Sequence, residues 1–185
     1  MPRPATLKPG VYHGLNKKPP FFEGWYYKLV SADEKHKLAI IPGVILGEDA
    51  HAFVQVLDGV AGTAAYVNFP LQDFQGDPER FSVKIGSSEF DSRHLKVALD
   101  DPECQLSGDI ELGPFSPWPV NWLLPGVMGW FAWVPGMECY HGVLSFDHSL
   151  QGKLLLNGKE MDFSGGRGYM EKDWGKSFPA AWVWF

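Results

Sequence analysis

Short runs of β-branched and aromatic residues, recurring between turn signals at intervals of about 8–12 residues, limit what this chain can fold into more than any other feature. Within each run apolar and polar side chains tend to alternate, the period of a half-buried strand. The spacing predicts strands over 21–31, 37–46, 52–57, 64–69, 81–85, 89–90, 94–99, 104–112, 140–147, 151–156 and 159–163. Asn157-Gly158 is the best turn signal, because such a pair accepts the positive φ of a two-residue hairpin turn, and Asp58-Gly59 is a strong hairpin signal. Segment 71–78 reads as a polar, turn-rich connection, and Pro42-Gly43 as a bulge or an edge position. In 104–112, Cys104, Leu106, Ile110 and Leu112 share an apolar side if Gly108 marks an irregularity. No stretch has a helical period, so the fold class is all-β: a lipocalin-like antiparallel β-barrel or sandwich. Residues 1–20 read as an extended arm, and 21–185 as one barrel domain.

Composition narrows the partners. With 15% aromatic residues, among them 8 Trp and 13 Phe, the chain suggests a large apolar interior or a pocket, as in barrels with a cavity. A net charge of -6 and a pI near 5.4 speak against nucleic acid, which needs clustered Lys and Arg. Cys104 and Cys139 stand in unlike contexts, so neither a disulfide framework nor a cysteine zinc site is expected. The N-terminus has no apolar signal core, and no run approaches the ~20 apolar residues of a membrane span. A soluble, cytoplasmic protein is expected. The most apolar stretch, 118–134, is broken by Pro119, Pro125, Gly126 and Gly129; it could touch a membrane or cover a pocket. Within 113–137, five prolines stand among Trp118, Trp122, Trp130, Phe131 and Trp133. So long an apolar loop reads as a lid or pocket wall ahead of a buried plug.

The chemistry concentrates at the C-terminus. Residues 165–185 set Glu171, Lys172 and Asp173 between Tyr169 and Trp174, then run through Phe178 and Pro179 to Trp182 and Trp184. Charges beside apolar surface are costly unless paired, and that cost is met more often at working sites than elsewhere. Equally, such residues serve as solvated strand charges beside core tryptophans. Glu23, between Phe22 and Gly24, and Glu138, before Tyr140 and His141, are further carboxylates among aromatics. Strand alternation puts Trp25 and Tyr27 on one face and Tyr26 and Lys28 on the other. The seven-residue gap between His141 and His148 sets them on opposite faces, which favours hydrogen-bonded strand histidines over a shared metal. GxSxG, P-loop and HExxH patterns are absent. A carboxylic acid in an apolar pocket can deliver a proton near neutral pH, and aromatic faces can steady a developing carbocation. Proton-initiated ring closure and plain binding of a pigment or prenyl lipid both fit those residues.

Three strings, FFEGWYYK at 21–28, MECYHGVLSFDHSLQG at 137–152 and FSGGRGYMEKDWGKSFPAAWVW at 163–184, resemble the tocopherol cyclase family in matching order. The wider relatives of that family include hydroxyneurosporene synthases and fungal cyclases of the Diels-Alder type. The resemblance implies a tandem pair of lipocalin-like β domains, with this chain as the first, and a substrate pocket near their junction. Closure of a prenylated quinol to a chromanol, without any cofactor, is the activity it implies. As family members continue past the tryptophan-rich strand, the chain reads as the first half of a longer protein. Plant members are expected to carry a plastid-targeting extension, and the absence of one fits a bacterial or algal-type relative acting on another isoprenoid.

Carried onto this sequence, the resemblance implies a pocket of Glu23, Trp25, Tyr27, Tyr140, His141, Tyr169, Glu171, Asp173, Trp174, Trp182 and Trp184. The proton donor is expected to be Glu171, then Asp173, then Glu23. The partner expected is a hydrophobic small molecule, with peripheral membrane contact left open and no metal. The alternative function is a non-catalytic lipocalin-like carrier of a lipid or pigment.

Overall fold

The computed structural model describes residues 5–178, 180 and 181. Twelve antiparallel strands follow the alternation: β1 (Phe21–Val30), β2 (Lys37–Leu46), β3 (His51–Asp58), β4 (Thr63–Pro70), β5 (Phe74–Gly76), β6 (Ser82–Ile85), β7 (Ser88–Asp91), β8 (His94–Asp101), β9 (Cys104–Leu112), β10 (Cys139–Leu156), β11 (Lys159–Asp162) and β12 (Arg167–Gly175). They form one path, β4-β3-β2-β1-β12-β10-β9-β8-β7-β6-β5, with β11 paired to β10 beside it. Most neighbours are hairpins between consecutive strands. The exception that joins the ends of the chain is β12, which pairs β1 on one side and β10 on the other. The sheet curls around a single core drawn from strands along its whole length, as a lipocalin-like all-β fold does.

Side chains fill the interior. Trp25, Tyr27, Phe90 and Phe163 are fully buried, joined by Leu29, Ile40, Ile85, Leu106 and Ile110. The rings of Trp25 and Tyr27 approach Phe81 at 6.4 and 6.3 Å, and Tyr27 meets Phe90 at 6.0 Å, contacts typical of offset aromatic packing. The high aromatic content therefore supplies, in these residues, the large apolar interior that composition suggested. A depression of about 320 Å3 lined by Asp49, His51, Asn68, Phe69 and Pro70 lies on the β3–β4 rim.

Several boundaries differ from the sequence expectation, each for a local reason. Residues 140–147 and 151–156 are one strand of 18 residues, β10, whose first part pairs β12 and whose last part pairs β9. Its register shifts between Val143 and Ser145 and again between Ser145 and His148. Gly108 carries a φ of 142° yet leaves the β8–β9 register unbroken, so Cys104, Leu106, Ile110 and Leu112 share a face by simple parity. Pro42 stands in a central strand rather than at an edge. It pairs with Val54 of β3, whereas on the β1 side the ladder is interrupted between Gly43 and Ile40. Segment 71–78 includes a 3-10 turn and the short strand β5. At Asn157-Gly158 both φ values are positive, 49° and 80°, as a type I′ hairpin requires.

The stretch 5–20 is no free arm. It contains two 3-10 turns, Ala5–Leu7 and Gly14–Asn16, and is fastened to the barrel through buried groups. Gly10 O accepts from Trp25 Nε1 at 2.9 Å, Val11 O accepts from Lys172 Nζ, and His13 N–H donates to both Glu23 oxygens at 3.0 Å.

Candidate functional site

Alternation along β12 sorts the C-terminal residues between two faces. Met170, Lys172 and Trp174 point toward the core, opposite Tyr27, Trp25 and Glu23 of β1. Tyr169, Glu171 and Asp173 point the other way, opposite Lys28, Tyr26 and Gly24. Because β10 runs on the far side of β12, its Tyr140 joins the inner set and its His141 the outer one. The proposed pocket residues thus split into two groups, back to back.

On the inner face Glu23 and Lys172 form a fully buried ion pair. Lys172 Nζ also stands 3.2 Å from His13 Nδ1, and 4.6 and 5.2 Å from the ring centroids of Trp25 and Trp174. Burial raises the Glu23 pKa and lowers that of Lys172 to about 8, and in each case the partner's charge opposes the shift. His13 is held neutral, its pKa lowered to about 3 by burial and then by the Lys172 charge. Tyr140 stacks on Trp174 with ring centroids 5.9 Å apart. The polar groups of Glu23, Lys172, His13 and Trp25 are met by protein, much of it from the N-terminal segment. Tyr27 lies deeper, with its hydroxyl donated to Asp91 O at 3.0 Å.

The outer face carries a chain of hydrogen-bonding groups. Tyr169 OH donates to Glu171 Oε2 at 2.5 Å; His141 Nε2 lies 3.6 Å from the same oxygen, and its Nδ1 lies 2.8 Å from Asp173 Oδ1. Glu171 is buried although it sits on the outer side, whereas Tyr169, His141 and Asp173 are half-buried. Burial, opposed by the Tyr169 hydrogen bond and by His141, raises the Glu171 pKa. Desolvation works to lower the His141 pKa, but the Asp173 hydrogen bond and charge outweigh it and raise the value. The donor atoms of His141, Glu171 and Asp173 lie within 4.8 Å of one another, near enough to hold a metal ion.

The uncharged segment 113–137 borders this cluster. It is tied to β10 by Ser116 N–H to Asp147 O (3.2 Å), Phe146 N–H to Ser116 O (2.9 Å), Tyr140 OH to Val134 O (2.8 Å) and His141 N–H to Met128 Sδ (3.0 Å). It is no buried plug, for Trp122, Leu123, Leu124, Trp130 and Phe131 are each more than half exposed. Phe146 was not anticipated as a site residue. Strict alternation would turn it inward with Leu144, but the β10 register shift puts its ring 6.3 Å from that of Tyr169. Tyr26 was missed as well, although its register partner is Glu171. The alternation of β1 already put it opposite Trp25, and only the pairing with β12 was hidden.

The tocopherol cyclase-like family model matches residues 77–185, more than half of the sequence. The chain belongs to this family. No curated protein matches it. Among solved structures, CghA with Sch210972 is similar at a TM-score of 0.54 and 14% identity, over 86% of this chain and 47% of its own. An AttH-type protein from Nitrosomonas europaea has a TM-score of 0.49 at 14% identity, over 92% of this chain and 59% of its own. Kievitone hydratase from Nectria haematococca has a TM-score of 0.46 at 11% identity, over 92% of this chain and 53% of its own. The chain spans about half the length of these structures, and the likeness to CghA shows the all-β fold. The family match begins in the β5–β6 connection and takes in the outer cluster's β10 and β12 residues, whereas β1 with Glu23, Trp25 and Tyr27 lies before it. Trp182 and Trp184 lie outside the described residues. Among the described residues no helix is long and apolar enough to cross a membrane.

Proposed function

We propose that the outer face of β12 is the working site of a tocopherol cyclase-like intramolecular cyclase acting on a prenylated quinol or another hydrophobic isoprenoid. The observation that carries this reading is Glu171: a buried carboxyl with a raised pKa, bonded to Tyr169 and facing His141, on a strand face lined by aromatic rings. In the protonated form, Glu171 gives its proton to the substrate alkene. The π-electrons form the new C–H bond and leave a tertiary carbocation, which nearby phenol and phenyl faces stabilise. The substrate hydroxyl oxygen then closes the ring with a lone pair. Its proton returns to the cluster, at the Glu171 carboxylate or at His141, so product and substrate have the same composition and no electrons leave the pair. Asp173 orients the imidazole through Nδ1 and favours its charged form.

The inner carboxylate, Glu23, fits a structural part better. It is committed to Lys172 and His13 within a sealed interior. That packed interior also disfavours the carrier alternative in its usual form, with the ligand held inside the barrel.

The test is Glu171→Gln, which keeps shape and hydrogen-bonding capacity but has no acidic proton. Chromanol formation from a prenylated quinol should stop while quinol binding persists. Undiminished turnover in this variant would remove Glu171 from the role of acid.

A further inference from the structure

Beside the acid cluster an aromatic row continues outward along one face. From Tyr169 the next ring is Phe146, at 6.3 Å, and from Phe146 the next is Trp118, at 5.6 Å. Phe146 and Trp118 are 47% and 39% exposed, so their faces are open to a ligand. The backbone ladder between Ser116 and the 146–147 stretch fixes Trp118 over Phe146, so the row is set by β10. Trp118 belongs to the 25-residue segment 113–137, which contains no Asp, Glu, Lys, Arg or His. Polar groups stand at the Tyr169 end of the row, and its far end, Trp118, lies in a segment without charge.

Resting on the cyclase reading, we infer that Tyr169, Phe146 and Trp118 form the track for the apolar tail of an amphiphile whose uncharged hydroxylated head sits at Glu171 and His141. The chemistry of the row selects this occupant. A charged tail would meet no counter-charge along 113–137, and a head without a hydroxyl would leave the Glu171–His141 pair without a partner in the substrate. The row is also narrow. The Arg167–Asp147 ion pair lies beside Phe146, and Lys28 stands opposite Tyr169, so a flat bilayer pressed on the row would have to desolvate those charges. A single chain laid along the rings avoids them. Phe146 and Trp118 thereby become the residues that set tail length.

The test uses geraniol, farnesol and geranylgeraniol, neutral prenyl alcohols of increasing length, titrated into the protein below their aggregation limits and followed by calorimetry and tryptophan fluorescence. Affinity should rise about tenfold per added isoprene unit, the gain expected if roughly a third of each unit leaves water. In Phe146→Ala and Trp118→Ala the dependence on length should flatten, and in Leu155→Ala, an exposed apolar residue elsewhere on β10, it should persist. An unchanged length dependence in both ring variants, or no saturable binding of any alcohol, overturns the track. So does the outcome in which phosphatidylcholine vesicles, and not the free alcohols, bind the protein through Trp118 and Phe146; that result assigns the row to a lipid surface. The cyclase reading fails separately: length-dependent binding without chromanol formation keeps the track and removes the reaction, and turnover with no length dependence does the reverse.

Discussion

Two acid clusters lie back to back on β1, β12 and β10, and their differences follow from which side of the sheet each faces. Inside, Glu23 is locked to Lys172 and to the His13 backbone, and both charges of the pair are shut away from water. Outside, Glu171, Tyr169, His141 and Asp173 share hydrogen bonds while three of the four remain partly open to solvent. Adjacent letters in the EKD triplet therefore belong to different environments. A charge with a fixed counter-charge in a dry interior holds structure together, whereas a carboxyl with a raised pKa beside half-open partners can exchange its proton.

The sharpest way to break this contrast is to remove the inner cation. Lys172→Met should destabilise the fold by about 3–5 kcal/mol, because it strands Glu23 as an unpaired buried acid. Adding Glu23→Gln should recover much of the loss, and urea unfolding of both single variants and the double variant measures the coupling. If Lys172→Met instead folds normally and loses turnover, the inner cluster is the site of chemistry and the assignment is reversed. Next in size is Glu171→Gln, expected to lower turnover by about 10²-fold or more with a stability change within about 1 kcal/mol. A loss of stability as large as that of Lys172→Met would make the outer cluster structural too.

Local signals in the sequence carry much of this architecture. Alternation places Trp25 and Tyr27 opposite Tyr26 and Lys28, and Asn157-Gly158 locates its hairpin, because both patterns are set by neighbouring residues. Two of the three family strings, at 137–152 and 163–184, fall within the matched residues 77–185. What stays hidden depends on contacts between distant segments. Nothing near Glu23 shows that Lys172 and the backbone of residues 10–13 will enclose it, and nothing near Glu171 shows that Tyr26 will be its neighbour. Phe146 escapes notice because a register shift reverses parity, and HGVLSF reads as an unbroken alternation. The aromatic content leaves one choice open, a large apolar interior or a pocket, since composition cannot tell a ring that fills a core from one that lines a cavity.

The histidines repeat the contrast on a smaller scale. His148 is buried against Phe115, with Nδ1 3.0 Å from Ser145 Oγ and no partner for Nε2 among the described residues. Burial lowers its pKa from 6.5 to about 4. Below pH 6.5 the unfolded chain takes up this proton before the folded one does, so stability should fall as pH drops from 6.5 toward 4 and level off beneath. The contribution is about 3 kcal/mol, and it is read as the difference between wild type and His148→Gln in urea unfolding across that range. An identical pH dependence in the two proteins would mean that the fold leaves the His148 pKa at its unfolded value.

His141 should behave in the opposite sense and with the smallest effect. Its pKa is raised because Asp173 outweighs desolvation, so Asp173→Asn should bring the imidazole titration down toward and below its ordinary value, visible in the ring proton shifts. Loss of one accessible hydrogen bond costs about 1 kcal/mol, and Asn can still accept at Nδ1, so folding should barely change. Turnover should fall several-fold, with the acid-side limb of its pH profile moving in parallel with the imidazole. A shift of the imidazole pKa with no movement of the profile would mean that His141 lies outside the proton path, leaving Glu171 and Tyr169 to carry it between them.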